Sequence, residues 1–519
     1  MFYPQDTVEE LGATEILPCT QYWMNDNAPE ENFPTSGRTV GTALSQIEDL
    51  DERAAARAAT LADLGWPEET SPTRLVVPAG SIGITHFDVY HRGTHRSAGP
   101  DMDKRIMIKL WYFRARDNDE PSWDHTPAED DDAPLAFRTD AGIRGGQEPI
   151  WTRMWHWMKG NGVTKGDAPV RAVDEAELAS LTTRLEESAG GLDAAKIEPS
   201  RVGAAYALAL AGEQGAAALE RAFVDGSPLY PASLAQDPST YGDFDPATSL
   251  KVDGVERSAA YGLAALPAYG GVPALTKVAA DPLTNRNKRA LALHALGQCA
   301  PTGDATVLRL LRDAVSHPES VFIQSTAAAA LGFLGRRAAA ERNLTALSGI
   351  VAALLPPLDV STSALQSNGH PSPDLAEGIN GPEDPTTVDA AHPAATPQLL
   401  NFPADGVMPR SATREMAAYA LTMTCAAAGA SGACTEDAAT WTPAVEWLAA
   451  AAHTDLNRFS MGFAAECLHR LAEGGLECAQ HALDAFVASP RWKPPELAGH
   501  LRLTQDQYDY DQGLFVQAK

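Results

Sequence analysis

Side chains that could bind a metal lie close together in one short stretch of this 519-residue sequence. Residues 80–95 read GSIGITHFDVYHRGTH and contain three histidines and one aspartate. His86 and Asp88 form an HxD pair, and residues two apart on a strand share a face, so both side chains could chelate one ion. A mononuclear iron centre also needs a second histidine, and His91 follows too soon on an extended strand. The pair therefore lacks a suitably spaced third ligand.

The elements that must position these side chains read as β-strands. Three runs are rich in β-branched and aromatic residues and are punctuated by Gly and Pro, namely residues 12–23, 73–85 and 105–114. The last run, RIMIKLWYFR, alternates its side chains with the period of two that is typical of a strand. Between the first two runs, residues 45–65 read as an Ala-rich helix or a charged insertion.

The string PAGSIGITHFDVYHRGTHRS, followed by KRIMIKLWYFR, resembles the C-terminal half of the phytanoyl-CoA dioxygenase family of iron and 2-oxoglutarate oxygenases. FYPQDTVEELGATEILPCTQYW resembles the preceding hairpin of that family, and the resemblance covers about residues 1–160. It implies that His91 is the distal Fe(II) ligand. It also implies that Arg105 binds the distal carboxylate of 2-oxoglutarate, a role that suits a planar guanidinium fork. His86 and Asp88 would then be a strand end and a turn.

The sequence departs from the family pattern at several positions. Cys19, Gln21 and His95 replace residues that the family prefers in turns and in contacts around the ligands. The HxD pair of the family lies on an earlier strand, and this sequence has no such pair upstream of Phe2. Either Met1 is an internal methionine of a longer reading frame, or a partner supplies the missing strands, or the segment is a remnant. We favour the first and expect the chain as given to be inactive as an oxygenase.

A short phrase recurs in the second part of the sequence. Its copies are AAYAL (204–208), AAYGL (259–263), ALHAL (292–296), AAAAL (327–331), AAYAL (417–421) and AAECL (464–468). Successive copies in the middle are 33 and 35 residues apart, which is the period of stacked helical pairs. Small alanines let neighbouring helices approach closely. This pattern resembles the HEAT-type repeat family over about residues 200–490, which implies an α-solenoid.

These observations predict an α+β multidomain chain. Residues 1–165 would form a partial double-stranded β-helix of the jelly-roll or cupin type. Residues 166–355 and 413–490 would form HEAT-like helical repeats, separated by a Pro- and Gly-rich insertion or linker at 356–412. Residues 491–519 would form a tail.

The charge composition of the chain argues against two classes of partner, nucleic acid and anionic membranes. The chain has 40 basic and 68 acidic residues, so its net charge of −28 would repel nucleic acid and anionic membranes. The sequence shows no secretory signal and no long apolar run, and its cysteines are scattered, so we expect a soluble cytoplasmic protein. Cys467, His469, Cys478 and His481 have the residue types of a zinc site, but their helical spacing favours packing.

The resemblance favours one function over a second. The chain would be a fragment of an Fe(II)- and 2-oxoglutarate-dependent dioxygenase of the hydroxylase type, acting on a small-molecule substrate when complete. Halogenation stays open, because the residue that distinguishes it is not in the sequence. The alternative is a non-enzymatic scaffold whose helical repeats bind a protein partner and whose β segment is only a cap.

Overall fold

The computed structural model describes most of the helical part and short pieces of the rest. It describes residues 1–16, 47, 49–63, 73–85, 91–94, 106–108, 149–150, 170–187, 191–224, 254–282, 284, 286–316, 321–355, 410–454 and 458–489. Within these residues the protein is mostly helical with a few short strands. The strands lie before residue 110, and the described elements after residue 170 are helices.

Five short strands form two small antiparallel sheets in the described part. They are β1 (Phe2–Tyr3), β2 (Thr14–Ile16), β3 (Thr73–Arg74), β4 (Ser81–Ile82) and β5 (His91–Gly93). Strand β1 pairs with β4, and β2 lies between β3 and β5. A bridge from Thr7 to Val77 continues the pairing between the two sheets, and a bridge from Phe2 to Ile108 adds a neighbour to β1. The double-stranded β-helix stays a prediction.

The Ala-rich segment at residues 45–65 contains helix α1 (Leu50–Asp63). Asp49 precedes it, and its carboxylate accepts a hydrogen bond from the backbone N–H of Glu52 at 2.8 Å. An aspartate at this position satisfies an N–H group that has no partner within the helix. The helical interpretation of the segment is therefore confirmed.

The helices after residue 170 follow one another along the chain in a regular order. They are α2 (Glu175–Glu186), α3 (Gly191–Leu210), α4 (Glu213–Val224), α5 (Gly254–Ala265), α6 (Val272–Ala280), α7 (Arg286–Cys299), α8 (Ala305–Ser316), α9 (Val321–Ala340), α10 (Leu344–Leu354), α11 (Arg410–Ser431), α12 (Ala433–Glu436), α13 (Ala438–Thr454), α14 (Arg458–Glu473) and α15 (Glu477–Ala488). Asp174 caps α2 by accepting from the N–H of Glu177 at 2.8 Å. The carboxylate of Glu177 pairs with Arg171. Asp174 therefore satisfies an N–H group at the start of α2 that has no partner within the helix.

The helices that carry the recurring phrase form one row. In this inner row, each helix contacts the next in the order α3, α5, α7, α9, α11, α14. The leucine that ends each phrase is fully or almost fully buried: Leu208, Leu263, Leu296, Leu331, Leu421 and Leu468. Helix α7 has no exposed residue among its described side chains. Helix α7 is therefore an interior helix, although it also contains polar residues such as Lys288 and His294.

The remaining long helices form a second, outer row. Its members contact one another in the order α4, α6, α8, α10, α13, α15, and they pack against the inner row. Helix α8 is clearly amphipathic, because it buries Val307 and Leu311 and exposes Arg309 and Arg312. One continuous hydrophobic core lies between the two rows.

Glycines set the spacing within the inner row. A Cβ atom on Gly297 of α7 would lie 2.4 Å from Cα of Ala330 in α9. A Cβ atom on Gly332 of α9 would lie 2.7 Å from Cα of Ala420 in α11. Both glycines directly follow the phrase, so the same register recurs at successive interfaces. The helix backbones come closer than any larger residue at these positions would permit.

Arg342 joins the helices on the two sides of the predicted insertion. Its backbone is left-handed, with φ +57°, in the turn between α9 and α10. Its guanidinium donates to the carbonyl oxygen of Ser431, at the end of α11, at 3.1 and 2.7 Å, and it pairs with Glu436 at 3.1 Å. The last carbonyl groups of a helix have no hydrogen-bond partner within the helix and carry partial negative charge. A cation beside them is therefore stabilising. Arg342 therefore fastens α9 and α10 to α11 and α12.

Part of the predicted domain division falls on residues that the structure does not describe. The segments 356–409 and 490–519 lie outside the described residues. Helix α11 already begins at Arg410, within the predicted insertion at 356–412. Among the helices that are described, none is both long and apolar enough to cross a membrane.

The glycine spacing predicts opposite effects of one substitution at two helical positions. Gly297→Ala should lower the free energy of unfolding by about 1–3 kcal/mol, because its methyl group collides with backbone atoms of α9. Gly349→Ala in α10 should raise it by about 0.5–1 kcal/mol, because no atom lies within 4 Å of the new Cβ. Urea denaturation followed by circular dichroism measures both. Equal effects at the two positions would contradict the packing described here.

Candidate functional site

His91, the predicted iron ligand, is the first residue of β5. It lies opposite Ile16 of β2, and directly opposed residues of antiparallel strands share a face. Just after β5, the hydroxyl of Thr94 donates to the carbonyl oxygen of Ala13 at 2.7 Å and fixes the strand end. His91 is exposed. It is therefore held on a paired strand and is accessible to solvent.

A buried carboxylate lies on the neighbouring position of β2 but on the other face. Glu15 is 6% exposed and is opposed by Arg74 of β3 and Arg92 of β5. The Nε atom of Arg74 donates to Glu15 at 3.3 Å, and the same guanidinium also pairs with Glu9. Because neighbouring residues of a strand point to opposite faces, Glu15 does not share a face with His91. This carboxylate is a partner for arginine.

The pairing of Glu15 with Arg74 was not predicted from the sequence. The signal was present as a single charge between Thr14 and Ile16 in a strand-forming run. A buried charge of this kind requires an ionic or hydrogen-bonded partner. The partner is 59 residues away in the sequence, so only the strand register reveals it.

The other residues of the predicted iron site lie outside the described part of the chain. These are Arg105, the HxD residues His86 and Asp88, and His95. Among the described residues, no three His, Cys, Asp or Glu side chains form a group that could hold a metal ion. The described residues thus include one of the predicted ligands, His91, and do not fit Fe(II) as a set.

Cys467 and His469 of α14, two residues of the zinc-type set noted in the sequence, contact other groups. Cys467 is buried, with its Sγ atom 3.4 Å from the hydroxyl of Thr422. His469 lies 3.4 Å from Glu473, one turn further along α14. Burial raises the pKa of the Cys425 thiol well above its usual range, and a hydrogen bond with Cys467 adds to the shift. A protonated thiol is neither a nucleophile nor a metal ligand.

A second hydrophobic cluster lies on the inner row, apart from the main core. We call Phe333, Tyr419 and Met423, with the half-buried Met416 and Phe463, the aromatic cluster. The ring of His294 meets Phe333 edge-on, with centroids 5.4 Å apart, and the guanidinium of Arg336 lies 5.6 Å from the centre of the Phe333 ring. These side chains link α7, α9, α11 and α14 across consecutive interfaces.

The recurring phrase contains a pattern that could have predicted the aromatic cluster. The third position of the phrase is Tyr206, Tyr261, His294, Ala329, Tyr419 and Glu466 in its six copies. Four of these residues are aromatic or imidazole rings with a polar tip. Such rings combine a large apolar body with a hydrogen-bonding group. A ring that recurs at the third position of the phrase indicates that these side chains lie on the same face of the inner row.

Comparison with other proteins does not add to these residues. No protein-family model matches this chain, and no curated protein matches it either. The candidate residues therefore rest on their own geometry and on the sequence resemblance stated above.

The pKa of Cys425 predicts a pH-dependent stability. The folded state keeps this thiol protonated, while the unfolded chain releases its proton near the ordinary value of 9.0. The stabilisation is therefore complete below that pH and is lost as pH rises towards the higher folded-state pKa, by up to about 1.4 kcal/mol per pH unit.

Denaturation in urea between pH 7 and 10 tests this dependence. In Cys425→Ala, the free energy of unfolding should fall less steeply with pH than in the unaltered chain. The matched control is Cys478→Ala on α15, which leaves Cys425 in place and should keep the original slope. An unchanged slope in Cys425→Ala would show that the thiol is not responsible.

Proposed function

We propose that this chain is a helical-repeat scaffold that binds a protein partner, with its helices arranged as an α-solenoid of HEAT-like repeats. The observation that carries the proposal is the contact of each long helix with its neighbours in an inner and an outer row. Repeats that contact only their neighbours build extended surfaces, and binding proteins use such surfaces. The β segment would be an attached cap.

The charged side chains on the outer row indicate which kind of partner could bind there. Lys277 on α6 and Arg309 and Arg312 on α8 are exposed, and these two helices are in contact. These three basic side chains belong to a chain whose net charge is −28, and the exposed Asp313 lies next to Arg312. Basic side chains attract an acidic surface and raise its rate of association. We therefore expect a protein partner with an acidic patch.

A photo-crosslinking amino acid tests the scaffold proposal in extract from the source cells. Placed at Arg309, it should give one discrete adduct with a protein. At Ala79, an exposed position in the turn before β4 and outside the rows, it should give none. The charge-reversal variant Arg309→Glu/Arg312→Glu should weaken binding of the same partner at least tenfold, and added salt should do likewise. Absence of an adduct at Arg309 would refute the proposal for this surface.

A second candidate is the dioxygenase fragment. The exposed position of His91 on a paired strand favours it, because a metal ligand must be both held and accessible. In this proposal His91 would bind Fe(II), Arg105 would bind 2-oxoglutarate, and an HxD pair would come from polypeptide that this sequence does not contain. A complete unit would supply oxygen chemistry for hydroxylation of a small molecule. The chain as given would lack that activity.

Metal binding separates the two candidates. The chain as given should not retain Fe(II) in an anaerobic titration, because a single histidine ligand is insufficient. If translation of the genomic sequence upstream of Met1 yields an in-frame HxD pair, the longer chain should bind Fe(II), and His91→Ala should abolish that binding. Exposed His91 tolerates alanine, so circular dichroism should stay unchanged. Fe(II) binding that survives His91→Ala in the longer chain would exclude His91 as a ligand.

A further inference from the structure

Two buried thiols meet where the inner-row helices α11 and α14 pack together. Cys425 on α11 and Cys467 on α14 are fully buried, neither is in a disulfide, and their side chains share a hydrogen bond. The Sγ atom of Cys467 also lies 3.4 Å from the hydroxyl of Thr422, which precedes Cys425 by one turn of α11. The two thiols therefore face each other across one helix interface.

The backbones of the two helices are very close beside this pair. A Cβ atom on Gly429, one turn after Cys425, would lie 2.3 Å from the carbonyl oxygen of Arg470, which follows Cys467 by three residues. Close contacts thus lie on both sides of the pair along the interface. A disulfide requires Cα atoms about 4.4–6.8 Å apart. Helices whose backbones touch on one turn can meet this requirement on the neighbouring turn.

The closed interface keeps both thiols reduced. Burial raises the pKa of the Cys425 thiol, and neither cysteine is accessible to solvent, so no reactive thiolate is presented to an oxidant. Among the described helices, α14 has one neighbour in the inner row, α11, whereas α11 has two, α9 and α14. A repeat with fewer neighbours opens more easily than an interior one. Separation of α14 from α11 would expose both sulfur atoms at once.

We propose that Cys425 and Cys467 form a redox-sensitive pair, which an oxidant joins in a disulfide that holds α14 against α11. Oxidised glutathione is a sufficient oxidant. The thiolate of one cysteine attacks a sulfur of oxidised glutathione, forms a mixed disulfide and releases one glutathione thiolate. The thiolate of the other cysteine attacks the protein sulfur of that mixed disulfide, forms the bond between the two cysteines and releases the second glutathione.

The reaction balances with this single oxidant. The two protein thiols lose two electrons and two protons, and one oxidised glutathione takes them up and becomes two molecules of reduced glutathione. The proposal does not rest on the proposed function.

The same interface carries part of the aromatic cluster. The ring centroids of Tyr419 on α11 and Phe463 on α14 are 5.4 Å apart, and Phe463 precedes Cys467 by one turn. The disulfide would keep these two rings together. Oxidation would thus hold closed the part of the inner row that has the fewest described neighbours.

Peptide mass spectrometry of the unaltered chain tests the pairing. The folded chain is incubated with oxidised glutathione, its remaining thiols are blocked with N-ethylmaleimide, and the digest is analysed without reduction. The peptides that contain Cys425 and Cys467 should be linked more abundantly than any other pair among the six cysteines. Cys478→Ala on α15 is the control and should leave this yield unchanged. Predominant linkage of either residue to Cys434, or mixed disulfides with glutathione alone, would overturn the proposal.

Hydrogen exchange tests whether the bond holds the two helices together. In the oxidised chain, the amides of α14 should exchange at least five times more slowly than in the reduced chain, while the amides of α5 should not change. Cys425→Ala cannot form the bond, so oxidised glutathione should leave its α14 exchange unaltered, whatever the stability of this variant. Equal α14 exchange in the oxidised and reduced forms of the unaltered chain would also overturn the proposal.

Discussion

The helical part of this protein depends on the close approach of helix backbones along the inner row. Alanine and glycine permit that approach, as at Gly297 against Ala330 and Gly332 against Ala420. Close backbones increase the number of dispersion contacts, each of which is small while their sum is large. The outer row then covers one side of the inner row and presents charged residues to solvent. The small side chains at a few positions thus set the distance between neighbouring helices of the inner row.

Local patterns in the sequence predicted the helical elements well. The recurring phrase marks the six inner-row helices, and the Ala-rich run marks α1. These signals work because helix formation, capping and the helical spacing of apolar residues involve residues close in sequence. The HEAT-like class of the repeats and the double-stranded β-helix stay predictions.

Strand pairing was harder to predict because it depends on residues far apart. Nothing local to Phe2 indicates that it pairs with both Ile82 and Ile108, and nothing near Glu15 indicates Arg74. A shift of one residue in such a register would exchange the two faces of a strand. The register separates His91 from Glu15, which decides which side chains could meet at one metal ion. Residue types alone could not show this separation, because it depends on which residue of β2 faces which residue of β5.

The contacts of Arg342 with Ser431 and Glu436 affect how the length of this chain can change during evolution. Helices α9 and α10 contact α11 directly, and Arg342 binds the end of α11, so described residues make the stack continuous there. The entropy cost of closing a loop grows only with the logarithm of its length, at about 0.6 kcal/mol per doubling. The junction between α10 and α11 is therefore a position where a lineage can lengthen, shorten or replace sequence at little thermodynamic cost.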